Sequence, residues 1–426
     1  MVPHQSFGAT LTRLRREHRL TQEELASRSG LSVRAISSLE CGVRHPRRMT
    51  VERLAGGLSL APGLRQQLID AAADERWAAG PAVPAPATGL VGRDTEVATL
   101  RCHLRGDGPP LLCFLGEPGI GKSRLLAEAA SLAIRRGSVV LAAACRRGGE
   151  PYAPIVDAFA AHARRLDPAA LVRECPGLEL LLPELTVTSP GVPSGQRRRL
   201  AFEAASRFLR LARIGRPPVI LLLDDLQWAG PAAADLLCHL ARQAGSGLRI
   251  VIAARAGDLP PTGRLAQCLA DLARLGLTNH HDLRPLPRPD ADQLITAVAG
   301  DAPVGPAARR AILRRSAGLP LFLVELTRAG VIPSHLVLAV GQQVADLPEP
   351  AADVLRRLAV AGPLVPIEAL ANGSPSTEQL LDALDAAVRH RILEETARGF
   401  RFRYPLMREI LLQSLGPARR SIGHRG

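Results

Sequence analysis

The chain has 426 residues and a formal net charge of +14, long enough for about two to four domains. Hydrophobic residues make up 46% and aromatics only 3%, so its cores must rest on Leu, Ala and Val. No run reaches the roughly 18 apolar residues of a membrane span, no apolar signal core opens the chain, and seven scattered cysteines without a C-x-x-C pair argue against a disulfide frame or a zinc site. A soluble, cytoplasmic protein with reduced thiols is expected.

In chain order, Phe7–Arg19 has the spacing of a helix. Thr21 then reads as an N-cap, and Glu24 three residues on completes a capping box. Leu25 and Ala26 face inward, and Gly30 breaks the helix at a tight turn. Ser32 caps the next helix, whose buried stripe is Ile36 and Leu39. Two short capped helices joined through a Gly turn make a helix-turn-helix. Helices over Thr50–Leu58 and Pro62–Arg76 follow. The stretch resembles the phage-repressor (XRE) class of helix-turn-helix domains through Gln22, Leu25, Ala26, Gly30, Leu31, Ser32, Ile36, Ser37, Glu40, Gly42 and Pro46. That resemblance implies that the second helix of the pair enters the major groove of double-stranded DNA. Ser32, Val33, Arg34, Ser37 and Ser38 would then face the groove, with Arg34 placed for a bidentate contact to guanine. Gln22, Arg44, Arg47 and Arg48 would hold phosphate. Overall charge does not decide this, because residues 1–80 carry 12 Arg and 8 acids, a net of only +4. The domain is expected to span residues 1–77.

Residues 78–88 are Ala/Pro-rich and nearly uncharged, which predicts an extended spacer. Beyond it, the run 111–123, LLCFLGEPGIGKS, reads as a buried strand, a glycine loop and the start of a helix. Gly116, Glu117, Pro118, Gly119, Ile120, Gly121, Lys122 and Ser123 fit G-x-x-x-x-G-K-[ST], a loop whose backbone N–H groups cradle phosphates. Arg124, in the first turn of the helix that begins at Ser123, is expected to join the nucleotide-binding residues. Lys122 reaches the β- and γ-phosphates, and Ser123 offers a hydroxyl to Mg²⁺. Lys122 is the only lysine in a chain with 54 basic residues. Arg has been used wherever a cation suffices, and Lys is kept where a slim point charge is needed.

Further on, Val219–Leu223 is apolar without alternation, as in a parallel strand covered on both faces, and it ends in Asp224 and Asp225. Asp224 is expected to hold Mg²⁺ and Asp225 to orient or deprotonate an attacking water. Leu248–Ile252 is the next strand, and Arg255 after it could sense the γ-phosphate. Leu283–Leu286 is predicted as a short final strand. Strands alternating with helices predict a parallel α/β sheet with its ligand at the carboxyl ends.

From Asp290 onward the pattern is helical. The order of the phosphate loop, DDLQWA and AGLPLFLVELTRAG resembles the STAND class of AAA+-like signalling ATPases. That resemblance implies a layout of an ATPase domain over 89–287, a helical lid over 288–340 and a winged-helix domain over 341–426. It also implies ATP or ADP with Mg²⁺, an adenine pocket lined by Val91, Gly92 and Arg93, and Pro320 packed on adenine. Gln227 departs from a frequent His, Leu319 from a frequent Asn, and Tyr404 from a frequent ADP-sensing His. Relatives typically continue into a helical-repeat arm, whereas 11 residues follow Leu415. Either truncation or a signal delivered by a separate sensor protein is expected.

Together these features predict a multidomain transcriptional regulator that binds DNA and uses slow ATP hydrolysis as a conformational or oligomerisation switch. Two alternatives are an ATPase that remodels or loads a macromolecule, and a plain repressor whose nucleotide only stabilises the fold.

Overall fold

The computed structural model describes residues 7–18, 20–40, 48–58, 60, 63–64, 68, 90–183, 185, 194–215, 217–260, 262–300, 302–371 and 376–415. Arg44, Arg47, most of the predicted 62–76 helix and the 78–88 spacer lie outside them, as do the side chains of Arg34, Ser38 and Arg48. The chain divides into two compact units, Met1–Ala85 and Pro86–Gly426.

The first unit contains α1 (Phe7–Glu17), α2 (Gln22–Ser29), α3 (Val33–Glu40) and α4 (Arg48–Gly57). Thr21 accepts from the Glu24 amide, and the Glu24 carboxylate accepts from the Thr21 amide at 2.7 Å, so the capping box is formed. Gly30 takes the left-handed conformation, φ 67°, and its N–H closes α2 on Ala26. Leu11, Leu14, Leu25, Ile36 and Leu54 are fully buried between the helices. Such a small core is marginal alone, and a polar clasp ties three of its pieces. Arg15 pairs with Glu40 at 2.6 Å and donates to the Leu20 carbonyl, while Gln22 Nε2 donates to Glu40 at 2.7 Å. Burial pushes the Glu40 carboxyl up, but the hydrogen bonds from Arg15 and Gln22 outweigh it and hold it below its usual range.

The second unit is built on five parallel strands: β1 (Leu111–Leu115), β2 (Val140–Ala144), β3 (Val219–Asp224), β4 (Leu248–Ala254) and β5 (Thr278–Asp282), in the order β2-β3-β4-β1-β5. β3 and β4 are buried along their whole length, as their uninterrupted apolar sequences require. The final strand corrects the expectation at Leu283–Leu286. It is Thr278–Asp282, sequence TNHHD, and it runs along the sheet edge paired only with β1. An edge strand with half-open faces tolerates polar residues, so no apolar run marks it. Leu283 and Leu286 follow it as buried loop anchors, with Leu283 N donating to Leu115 O at 2.8 Å.

Helices α5 (Asp94–Arg105) and α6 (Lys122–Arg135) cover one face of the sheet. On the other, α7 (Ala153–Ala163), α9 (Ser194–Arg213) and α10 (Pro231–Gln243) pack Phe159, Phe208 and Leu237 against Leu221 and Leu223; the short α8 (Pro168–Glu174) lies between, and α11 (Arg264–Arg274) precedes β5. The lid is α12 (Arg288–Ala299), α13 (Pro306–Ser316), α14 (Pro320–Ala329) and α15 (Ser334–Ala345). α15 runs through the 340/341 boundary expected between lid and winged helix, because nothing between 334 and 345 breaks a helix except a tolerated Gly341. The last part comprises α16 (Glu349–Ala361), α17 (Ile367–Ala371), α18 (Thr377–Arg389), an antiparallel hairpin of β6 (Leu393–Thr396) and β7 (Gly399–Phe402), and α19 (Pro405–Ser414). The hairpin interrupts the helical pattern read from Asp290 onward. With a bridge from Val365 to Phe400 it forms the wing. One apolar core runs from Phe114 and Val251 on the sheet through Phe322 and Leu323 of the lid to Leu355 and Leu406 beyond.

Gly318 joins lid to sheet. Its φ is +81°, its carbonyl accepts from Leu286 N at 2.9 Å, and an added Cβ would overlap the Leu286 carbonyl oxygen. Gly318→Ala is therefore expected to destabilise this unit by about 1–3 kcal/mol in denaturant titration.

Candidate nucleotide site and DNA-reading helix

β1 delivers the chain to the glycine loop, and α6 begins at Lys122 immediately after it. Gly119 and Gly121 have φ of 77° and 104°, which side-chain-bearing residues resist. Leu321, at the start of α14, donates its backbone N–H to Gly119 O at 3.1 Å, and a Cβ at Gly119 would come within 2.7 Å of the Leu321 Cβ. Behind the loop, buried Arg93 donates to Ile120 O at 3.1 Å and Arg284 O at 2.8 Å and pairs with Glu96 at 3.0 Å. The loop is thus clamped on both sides. Lys122 is only 6% exposed; its Nζ donates to the carbonyls of Gly116 (3.0 Å) and Glu117 (2.8 Å). Burial, reinforced by Arg255, lowers its pKa to about 8 against the opposing pull of Asp225, Asp224 and Asp258.

β3 carries Asp224 to the same edge of the sheet. Asp224 is buried, and it accepts a hydrogen bond from the Ser123 hydroxyl. Burial pushes its pKa up against that bond. A hydroxyl and a carboxylate side by side at the loop are the oxygen ligands a hard divalent cation takes, so the residues fit Mg²⁺.

Asp225 stands in the left-handed region at φ 49°. Its Oδ1 accepts from Gln227 Nε2 at 2.8 Å and lies 3.8 Å from Arg255 Nε. β4 lies between β1 and β3, which is why Arg255 falls between the loop and the acids. Arg255 also approaches Asp258 at 3.6 Å and stands over the Trp228 ring at 5.8 Å. Arg147 covers the same ring at 4.3 Å and pairs at 2.9 Å with Asp346, which caps the C-terminus of α15.

Glu117 behaves differently from the rest of the loop. Its side chain is 3% exposed and turned away from the cradle, toward the winged helix. The Tyr404 hydroxyl donates to Glu117 Oε2 in a short hydrogen bond. Arg403 Nε lies 2.8 Å from Oε1, close enough for an ion pair but without hydrogen-bond alignment, and Arg391 lies 3.7 Å away. Burial, then the Glu117 charge, drives the Tyr404 pKa upward. His390 adds a contact to Asp258 at 2.9 Å. Beside these contacts is a cavity of about 440 Å³ lined by Pro118, Trp228, Arg255, Leu336, Val340 and Met407 among others.

The structure therefore brings Lys122, Ser123, Asp224, Asp225 and Arg255 together. Other expected residues sit differently. Arg93 is committed to clamping the loop. Gly92 forms the turn before α5, and Val91 packs on the core. Ile120 is fully buried, and half-buried Arg124 is held below its usual pKa by burial and by Arg328. Pro320 is the first residue of α14 and half-buried, while its neighbours Leu319 and Leu321 line the cavity. No sequence pattern marks Leu321, Arg403 or Arg391, and Gln227 and Tyr404 stand out in the sequence only as departures from the residues frequent at their positions.

In the first unit, Ser32 and Val33 are exposed at the start of α3, Val33 at 40%, and Ser37 is half-buried one turn later. Gln22 is half-buried and its amide is engaged by Glu40.

Residues 89–253 match the family described as AAA ATPase domain, and residues 6–68 match the family described as helix-turn-helix domain. An uncharacterised HTH-type transcriptional regulator of Sinorhizobium fredii is 48% identical over 54 residues, 13% of this chain and 70% of that protein. One of Mycobacterium tuberculosis is 37% identical over 71 residues, 17% of this chain and 28% of that protein. Among solved structures, a Walker-type ATPase of Pyrococcus abyssi aligns with 76% of this chain and 96% of its own, at TM-score 0.48 and 16% identity. A STAND protein with a tetratricopeptide repeat sensor from Pyrococcus horikoshii aligns with 78% and 44%, at TM-score 0.38 and 14% identity. Among the described residues, no helix is long and apolar enough to cross a membrane. The chain belongs to the HTH-type transcriptional regulators, and behind its amino-terminal DNA-binding domain it carries an AAA ATPase domain.

Proposed function

We propose that this regulator is switched by the state of an adenine nucleotide on its glycine loop. The observation that carries the proposal is the contact of Tyr404 and Arg403 with Glu117, which ties the winged helix to a residue of the phosphate loop itself. A phosphate arriving on the loop acts within one residue of that tie, and so biases it electrostatically. Lys122 neutralises the β- and γ-phosphates of ATP. Ser123 and Asp224 hold Mg²⁺, which supplies further charge neutralisation on the phosphates. Asp225 orients the attacking water, and Arg255 registers whether a γ-phosphate is present. Hydrolysis is slow, because a switch must persist long enough to be read.

Moving a two-state balance from 1:99 to 99:1 takes about 5.5 kcal/mol of differential binding. One γ-phosphate against one tie falls short of that. ATP-dependent self-association, setting two helix-turn-helix domains on adjacent half-sites, adds the remainder. A separate sensor protein could bias the same balance.

Lys122→Ala is expected to abolish ATP binding in calorimetry and to change DNA occupancy or particle mass; a folded variant with unchanged ATP affinity, DNA occupancy and particle mass would overturn the proposal. Asp225→Asn should bind ATP as tightly as the parent and release no phosphate. Tyr404→Phe removes a hydrogen bond to a charged group, worth about 1.5–3 kcal/mol. ADP should then leave about tenfold faster or more, read by fluorescent-nucleotide release. On the DNA side, Arg34→Ala should relax sequence preference, whereas Arg47→Ala should weaken all sequences about equally and flatten the salt dependence. Binding that is indifferent to both changes would exclude α3 as the reading helix.

A further inference from the structure

Gln227 is half-buried in the short turn Leu226–Trp228 that follows the acid pair. Its amide spans two strand tips. Nε2 donates to Asp225 Oδ1 at 2.8 Å after β3, and Oε1 accepts from the Arg255 N–H at 3.0 Å after β4. Each partner admits only one end of the amide. A carboxylate can only accept and a backbone N–H can only donate, so the amide cannot flip without losing both bonds.

Asp225 immediately follows β3. Its backbone is left-handed, a conformation that costs a residue with a Cβ about 1–3 kcal/mol and persists only where the surroundings impose it. The Asp225 carboxylate has two neighbours of different kinds. Arg255 at 3.8 Å attracts it without hydrogen-bond geometry, and Gln227 gives it direction. The same amide also holds the backbone from which the Arg255 side chain leaves. One side chain therefore fixes both the acid and the cation at the loop.

We propose that Gln227 is the positioning residue of the hydrolytic centre: it aims the Asp225 carboxylate and sets its separation from Arg255, without itself touching the nucleotide. This rests on Asp225 being the acid that orients the water. The chemistry at position 227 must then be bifunctional, one donor and one acceptor. Gln227→Glu keeps the acceptor for Arg255 N–H but sets a like charge against Asp225. Gln227→Leu removes both bonds. Gln227→His keeps one donor and one acceptor on a neutral ring.

The test is single-turnover hydrolysis of Mg·ATP by the full-length protein, with equilibrium binding of a non-hydrolysable ATP analogue. A third readout is acrylamide quenching of Trp228 in a Trp77→Phe background, since the chain has two tryptophans. Gln227→Glu and Gln227→Leu should lower the hydrolysis rate by roughly 10–100-fold while analogue affinity stays within about twofold. Trp228 should become more accessible to quencher in Gln227→Leu, and Gln227→His should restore most of the rate and the parent's quenching. If affinity, melting temperature and rate fall together, and His restores none of them, Gln227 is only a staple between strands and the proposal is wrong. Parental rates in Gln227→Glu and Gln227→Leu, with Asp225→Asn inactive, would remove Gln227 and leave Asp225 in place. Parental turnover by Asp225→Asn would instead remove the acid on which the inference stands.

Discussion

A carboxylate in a dry interior keeps its charge only if other groups compensate it. Glu117 is such a carboxylate, and its compensating groups come from 274–287 residues further along the chain, at Arg391, Arg403 and Tyr404. The phosphate loop and the winged helix are therefore joined by an electrostatic requirement as well as by packing. Displacing the winged helix would leave Glu117 to find water or another cation. Binding a highly charged anion on the same loop alters the field in which that choice is made.

The cationic side of the site follows from a similar economy. Arg255, Arg147 and Arg391 each pair with an acid, and two of them stack on Trp228. Their planar guanidiniums suit stacking and side-on pairing. Lys122, by contrast, points its charge at the carbonyls of Gly116 and Glu117 from a buried position. The carbonyls it holds are weak partners, and a phosphate oxygen is a stronger one. Its lowered pKa expresses that mismatch: the ammonium is desolvated more than it is compensated.

Much of this was legible in the sequence because the residues concerned are locally constrained. The capping box at Thr21 and Glu24, the glycines of the loop, and the acids after an unalternating apolar strand each require particular residue types at particular spacings. What stayed hidden depends on distant contacts. Thr278–Asp282 is a strand only because β1 offers it an edge, and nothing in TNHHD says so. Arg93, which the family resemblance placed at an adenine pocket, donates to the Ile120 and Arg284 carbonyls, contacts that no local pattern announces. Leu321 touches Gly119 through its backbone, which no side-chain pattern records. Gln227 and Tyr404 were visible only as unusual residues at familiar positions. What each does became clear once its partner was placed beside it.

The continuous apolar core through sheet, lid and winged helix has a thermodynamic consequence for any large opening motion. Parting two faces of such a core wets hydrocarbon at about 25 cal/mol per Å², so each 100 Å² exposed costs about 2.5 kcal/mol. An opened form that leaves those leucines bare would be sparsely populated and adhesive. A stable opened form must hide the same surface elsewhere, against a rearranged lid or another polypeptide. The extent of opening and the tendency to self-assemble are then two measures of one quantity, the hydrocarbon area that has lost its original cover.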